Sequence, residues 1–129
     1  MRSTLRCILI GSTSLLLANT ALAAGPSYDC SKVESGSIEA LVCQSDELSA
    51  LDRQLADVYA AASKKAANEQ PPMLKAEQRG WIKGRNDCWK ATSIPACVKD
   101  SYQLRIVELQ ARYRLVESIG PVSYQCNAN

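Results

Sequence analysis

The sequence contains no histidine and no phenylalanine. Without histidine there can be no Ser-His-Asp or Cys-His catalytic arrangement, no imidazole metal ligand and no histidine pH switch. An active site would have to use carboxylates, lysine or cysteine. Without phenylalanine, the aromatic share of a core falls to five tyrosines and two tryptophans. Alternating strand patterns are also nearly absent, and the length of 129 residues leaves room for one domain at most.

The first 23 residues read as a leader. Arg2, Arg6 and the α-amino group precede a largely apolar run from Ile8 to Leu17, and Ala21-Leu22-Ala23 supplies the small residues read by a signal peptidase. Cleavage is expected after Ala23. Gly11, Ser12, Thr13 and Ser14 interrupt the apolar run, which is too short to span a bilayer comfortably. Cys7 lies before that run and so is not placed to be the lipidated cysteine of a lipoprotein. The mature chain is expected to be soluble and periplasmic or secreted, with no stable membrane anchor after cleavage.

The formal charge of +2 comes from Arg2 and Arg6, and the remaining 13 basic side chains are matched by 13 acidic ones. Overall charge therefore gives no support to a nucleic-acid partner or an anionic membrane surface. The distribution is uneven. Asp29, Glu34, Glu39, Asp46, Glu47, Asp52 and Asp57 face only Lys32 and Arg53 between residues 24 and 57, and the excess of positive charge lies beyond. The simpler reading is that helices of opposite charge pack together; the other is an acidic face able to meet a basic protein.

Five cysteines remain in the mature chain: Cys30, Cys43, Cys88, Cys97 and Cys126. In a small exported domain they should oxidise. Many pairings are open, and sequence proximity favours Cys30 with Cys43 and Cys88 with Cys97. Each bridge would close a short loop and stabilise by roughly 3 kcal/mol on the chain-entropy model. Neither spacing is a CxxC redox motif or a zinc-knuckle motif, so the expected role is structural, with Cys126 left over and no metal or other cofactor implied.

Helical periodicity dominates the rest. Ser45 can cap a helix with Asp46 and Glu47 in its first turn, and Leu48, Leu51, Leu55, Val58, Tyr59 and Ala62 recur at helical spacing, which predicts a helix from about Asp46 to Asn68. Pro71-Pro72 opens a second helix with Leu74, Gln78, Trp81, Arg85 and Cys88 on one face. Ser93-Ile94-Pro95 interrupts it. A third helix then starts at Ala96 or Cys97 and carries Val98, Tyr102, Ile106, Leu109, Tyr113 and Val116 until Gly120-Pro121 ends it. A short helix from Ser37 to Cys43 precedes all three. The expected fold is all-α: a small antiparallel helical bundle of three long helices plus a short N-terminal helix, stapled by two disulfides. The domain should occupy residues 24–118, with a tail over 119–129.

Three charged residues break the apolar stripes. Asp52 lies among Leu48, Leu55 and Tyr59, Arg85 shares a face with Leu74 and Trp81, and Arg105 sits beside Tyr102 and Leu109. Buried charges need partners, so Asp52 is expected to pair with Arg85 or Arg105 as a structural ion pair that fixes helix register. Gly80 and Gly84 each cost about 1 kcal/mol relative to alanine within a helix, which suggests a close approach on that side, by a neighbouring helix in the first place and by a partner protein in the second.

These residues together carry a resemblance. Cys30, Glu39-Ala-Leu-Val-Cys43, Leu48-Ser-Ala-Leu-Asp-Arg-Gln-Leu55 with Tyr59, Glu77-Gln-Arg-Gly-Trp-Ile-Lys-Gly-Arg85 with Cys88, and Cys97 followed by Tyr102 and Arg105-Ile106 occur in the order seen in the LprI-like lysozyme-inhibitor family. The resemblance covers residues 28 to about 112. It implies a disulfide-stapled helical domain and inhibition of lysozyme in the cell envelope. The tail, Pro121-Val-Ser-Tyr-Gln-Cys-Asn127, is similar to the first strand of C-type lysozyme inhibitors of the MliC kind, where Tyr-x-Cys opens a small β-barrel. The barrel and its inhibitory loop do not follow here, which implies a truncated start of a second domain and carries no inhibitory residue over.

The functional expectation is an exported, non-catalytic protein that binds and inhibits lysozyme, with Glu39, Asp46, Glu47 and Asp57 as candidate partner-binding acids. The alternative is an envelope structural or adaptor protein with a helical protein-binding domain. An enzyme ranks last, because no two acids are flanked by the apolar pocket or aromatic residues that a glycan cleft needs.

Overall fold

Ser45 ends one helix and begins the next. Its extended backbone follows α1 (Ile38–Gln44), and its side chain accepts from the Leu48 N–H at 3.3 Å to cap α2 (Asp46–Lys65). Ser37 caps α1 in the same way through the Ala40 N–H, so the predicted short helix forms one residue later than its boundary in the sequence pattern. In the computed structural model, which describes residues 24–68 and 71–115, α3 runs Pro71–Asn86 and α4 runs Ile94–Tyr113. Single 3-10 turns lie at Cys30–Lys32, Ala66–Asn68 and Asp87–Lys90.

The all-α bundle and both disulfides are as the sequence predicts. Cys30 bonds to Cys43 across a Cα separation of 6.0 Å, fastening the first 3-10 turn to α1. Cys88 bonds to Cys97 across 5.6 Å, fastening the turn after α3 to α4. The three long helices run up, down and up. Consequently α2 and α4, the pair with the most extensive contact, point the same way. Glu47 and Lys99 pair near their N-terminal ends, while the Lys65 Nζ donates to the Tyr113 and Arg114 carbonyls at their C-terminal ends, at 2.9 Å each. α3 lies antiparallel to α4, with Trp81 Nε1 donating to the Ser101 carbonyl and Arg112 meeting Glu77.

The core fills the space between α2 and α4. Val42 from α1, Leu55, Val58 and Ala62 from α2, and Val98, Tyr102, Ile106 and Leu109 from α4 are almost fully buried. Ser49, buried beside them, donates to the Val42 carbonyl at 2.8 Å and locks α1 onto α2.

Three boundary or packing expectations need correction. Pro95 does not hold off the last helix but sits within its first turn, where the missing N–H has no helical partner to lose. The same helix stops at Tyr113 rather than at Gly120: Arg114 takes the left-handed conformation (φ 52°, ψ 54°), the Leu115 N–H reaches the Gln110 carbonyl at 2.9 Å, and Leu115 is buried to complete the cap. Gly80 and Gly84 are exposed and have no atom within 4 Å of where a Cβ would stand, so no neighbouring helix approaches them closely. The leader, Val116, Cys126 and the tail over 119–129, where the start of an MliC-like strand is expected, lie outside the described residues.

Candidate functional site

Tyr102 marks the centre of a buried polar chain. It is fully buried on α4, and its hydroxyl donates to Asp52 Oδ1 at 2.8 Å while accepting from Arg85 Nη1 at 2.8 Å. Burial pushes the Tyr102 phenol well above its ordinary range; the Arg85 charge opposes this and Asp52 adds to it, so the hydroxyl stays protonated and able to donate. Arg85, on the last turn of α3 and 4% exposed, places its guanidinium 5.5 Å from the Trp81 ring centroid and 5.6 Å from that of Tyr102.

Beyond Tyr102 the chain continues in both directions. Arg85 Nη2 forms its ion pair with Glu39, and Asn86 joins the two, accepting from Arg85 at 2.8 and 3.0 Å and donating to Glu39 Oε1 at 2.9 Å. Burial acts against ionisation of Glu39, but hydrogen bonds from Asn86 and its own backbone N–H, with the Arg85 charge, outweigh it and hold the carboxyl below its ordinary value of 4.5. On the other side, Asp52 Oδ2 accepts from the Ser27 N–H at 2.7 Å and from the Ser27 hydroxyl. Arg53 donates to the Ala24 and Gly25 carbonyls, and Tyr28 donates to the Glu39 carbonyl at 2.9 Å, so this network straps residues 24–28 across α1 and α2.

The structural ion pair expected from the sequence is therefore redistributed. Asp52 and Arg85 do meet, but through the Tyr102 hydroxyl; the carboxylate paired with Arg85 is Glu39. Arg105 is 4% exposed and turns elsewhere, its Nε to Gln78 at 3.0 Å and its Nη1 to Glu108 at 2.9 Å, with Nη2 buried and lacking a hydrogen-bond partner. The physical reason is reach: Glu39 on the short helix faces α3, a neighbour that periodicity within α1 does not reveal.

The four candidate partner-binding acids do not form one surface. Glu39 belongs to the buried chain. Glu47 pairs with Lys99 and, with a hydrogen bond as the main cause, raises the lysine's pKa. Asp46 and Asp57 are both exposed and, about three turns apart, share the outward face of α2. Sequence reasoning missed Ser27, Tyr28 and Asn86 altogether, and gave the Tyr102 hydroxyl no role. The available signals were the i, i+4 spacing of Trp81 and Arg85 and a tyrosine hydroxyl on an otherwise buried face.

A pocket of about 320 Å³ opens above this chain between α2 and α3. Leu55, Ala56 and Tyr59 form one wall and Gln78, Trp81, Ile82 and Arg85 the other, while Ser27, Tyr28, Glu39 and Asp52 close one end. Two acids thus do stand beside apolar and aromatic side chains, contrary to the sequence expectation, because residues 24–28 fold over α1 and α2. A second cleft, about 350 Å³, lies beside the exposed Trp89 and is lined by uncharged residues only. Among the described residues, no cluster of three or more cysteines or carboxylates could hold a metal ion, and no helix is long and apolar enough to cross a membrane.

Comparison with known proteins gives a family match over residues 30–109, to the family described as lysozyme inhibitor LprI. Among curated proteins, the chain is 31% identical over 107 residues to lipoprotein LprI of Mycobacterium bovis and to the lipoprotein LprI of two Mycobacterium tuberculosis strains. The alignment takes in 83% of this chain and 52% of each relative, so the chain spans about half their length. No solved structure matches.

Proposed function

Because the chain belongs to the LprI lysozyme-inhibitor family, we propose that it binds lysozyme in the cell envelope and inhibits it without catalysing a reaction itself. The observation that carries this reading is the family match, which covers both disulfides, the buried Glu39–Arg85–Tyr102–Asp52 chain and nearly all of the pocket above it. Inhibition of this kind is occlusion: a rigid domain covers the enzyme's cleft so that glycan cannot reach the paired carboxylates that hydrolyse it. Rigidity favours this, because a binder already held in its bound shape loses little further entropy on association.

The lysozyme partner is cationic in this reading, and Asp46 and Asp57 on the outward face of α2 are the acids free to steer it. Export follows from residues 1–23 acting as a signal peptide. The relatives are named lipoproteins, whereas Cys7 precedes the apolar run of this leader, so the mature protein is proposed to be free in the periplasm or secreted rather than lipid-anchored.

The test is clearance of a bacterial cell-wall suspension by lysozymes of several classes with the mature protein in micromolar excess. Slowed clearance by at least one class supports the reading. Full activity throughout would leave the domain as an envelope adaptor.

A further inference from the structure

The pocket between α2 and α3 has a charge composition that selects its ligand. Three charged side chains line it: Glu39, Asp52 and Arg85. Arg85 is committed to Glu39 by their ion pair and lies against the Trp81 and Tyr102 rings. Asp52 is different. Its partners among the described residues are the Tyr102 hydroxyl and the N–H and hydroxyl of Ser27, all neutral, so it has no direct ion pair and Arg85 stands one hydroxyl away. With two carboxylates and one guanidinium, the lining carries a net negative charge beside three aromatic side chains, Tyr28, Tyr59 and Trp81.

We propose that this pocket receives a single cationic side chain, an arginine or lysine, presented by a partner protein. A guanidinium or ammonium gains both from the carboxylate and from aromatic faces within about 6 Å. An anion would meet Glu39 and Asp52, and a purely apolar group would desolvate the Asp52 carboxylate without supplying it an ion pair. At about 320 Å³ the space is at the lower end of ligand pockets, roughly 300–1,000 Å³, which suits one side chain rather than an extended ligand. The negative field also acts on Tyr28, whose phenol is pushed up to about 12, first by burial and then by Asp52, against the opposing Arg85. That the bearer of the cation is a lysozyme rests on the function proposed above. The chemistry of the pocket does not.

The experiment is an NMR titration of the mature protein with N-acetyl-arginine amide, following the Trp81 indole N–H, with N-acetyl-citrulline amide as the neutral isostere. The arginine probe should give a saturable shift with a dissociation constant on the order of 1 mM, at least tenfold tighter than citrulline. Asp52→Asn should weaken arginine binding at least tenfold. Tyr59→Leu, which changes one wall and leaves the polar chain intact, should weaken it several-fold and decides the matter if Asp52→Asn does not fold. Equal binding of the two probes, no shift at about 50 mM, or unchanged binding in a folded Asp52→Asn or Tyr59→Leu protein would overturn the proposal. Probe binding without any lysozyme inhibition would keep the pocket and remove lysozyme as its partner; inhibition without probe binding would do the reverse.

Discussion

Arg85 and Asp52 touch the same atom, the Tyr102 hydroxyl, from opposite sides, each at 2.8 Å. One neutral hydroxyl thereby joins a buried cation on α3 to a buried anion on α2 while belonging to α4. Its removal leaves both charges short of a partner in a poorly solvated place. Tyr102→Phe, which keeps the ring and deletes only the oxygen, should destabilise by about 2 kcal/mol in urea unfolding. An unchanged midpoint would mean that water or rearrangement replaces the bridge at no cost.

Glu39 and Asp52 should not be equivalent. Glu39→Ala strips Arg85 of its ion pair and should cost about 3 kcal/mol, although the partial exposure of Glu39 limits the effect. Asp52→Ala removes acceptors for Tyr102 and Ser27 but leaves the Arg85–Glu39 pair in place, and should cost less, about 2 kcal/mol. Parallel denaturation curves would rank them, and a larger loss at Asp52 would contradict this division of roles.

Acid should weaken the domain through Glu39. Its folded pKa lies below the ordinary value of 4.5, so its contribution to stability is fully present above that value and is lost as pH falls through the folded pKa. Tyr28 acts at the other extreme. Its folded pKa is raised from 10.0 to about 12, so the stabilisation is complete below pH 10 and disappears as pH rises towards 12. Stability measured against pH should fall at both ends, with Glu39→Gln flattening the acid limb and Tyr28→Phe the alkaline one.

Three backbone substitutions should raise stability. Gly80 and Gly84 stand in exposed helix with open space at the Cβ position, so each change to alanine should add about 0.5–1 kcal/mol. Arg114→Gly relieves a left-handed residue at the end of α4 and should add about 1 kcal/mol. Melting temperatures would rise in all three; a fall at either glycine would reveal a contact that the static structure does not contain.

Local chemistry made much of this architecture readable in advance. Ser37 and Ser45 announce helix starts, the stripes on α2 and α4 announce the core, and cysteines a short distance apart announce their bridges, because each signal acts within a few residues of chain. The end of α4 was not readable, since arginine rather than glycine occupies the left-handed cap and its partner, Lys65, comes from another helix. Nor was the role of Glu39. A carboxylate on a short helix looks like surface until α3 brings Arg85 to it, and the parallel pairing of α2 with α4 that sets this geometry depends on all three long helices at once. The candidate site was legible in its charged residues and not in their connections.

The most direct test of the functional account is a calorimetric titration of the mature protein into a cationic lysozyme at low and at high salt. The account predicts a saturable heat at a fixed stoichiometry, weakening as ionic strength rises past about 0.15 M because exposed charges such as Asp46 and Asp57 are screened beyond about 8 Å. The absence of any heat of binding at tens of micromolar protein, at low salt and with lysozymes of several classes, would contradict it.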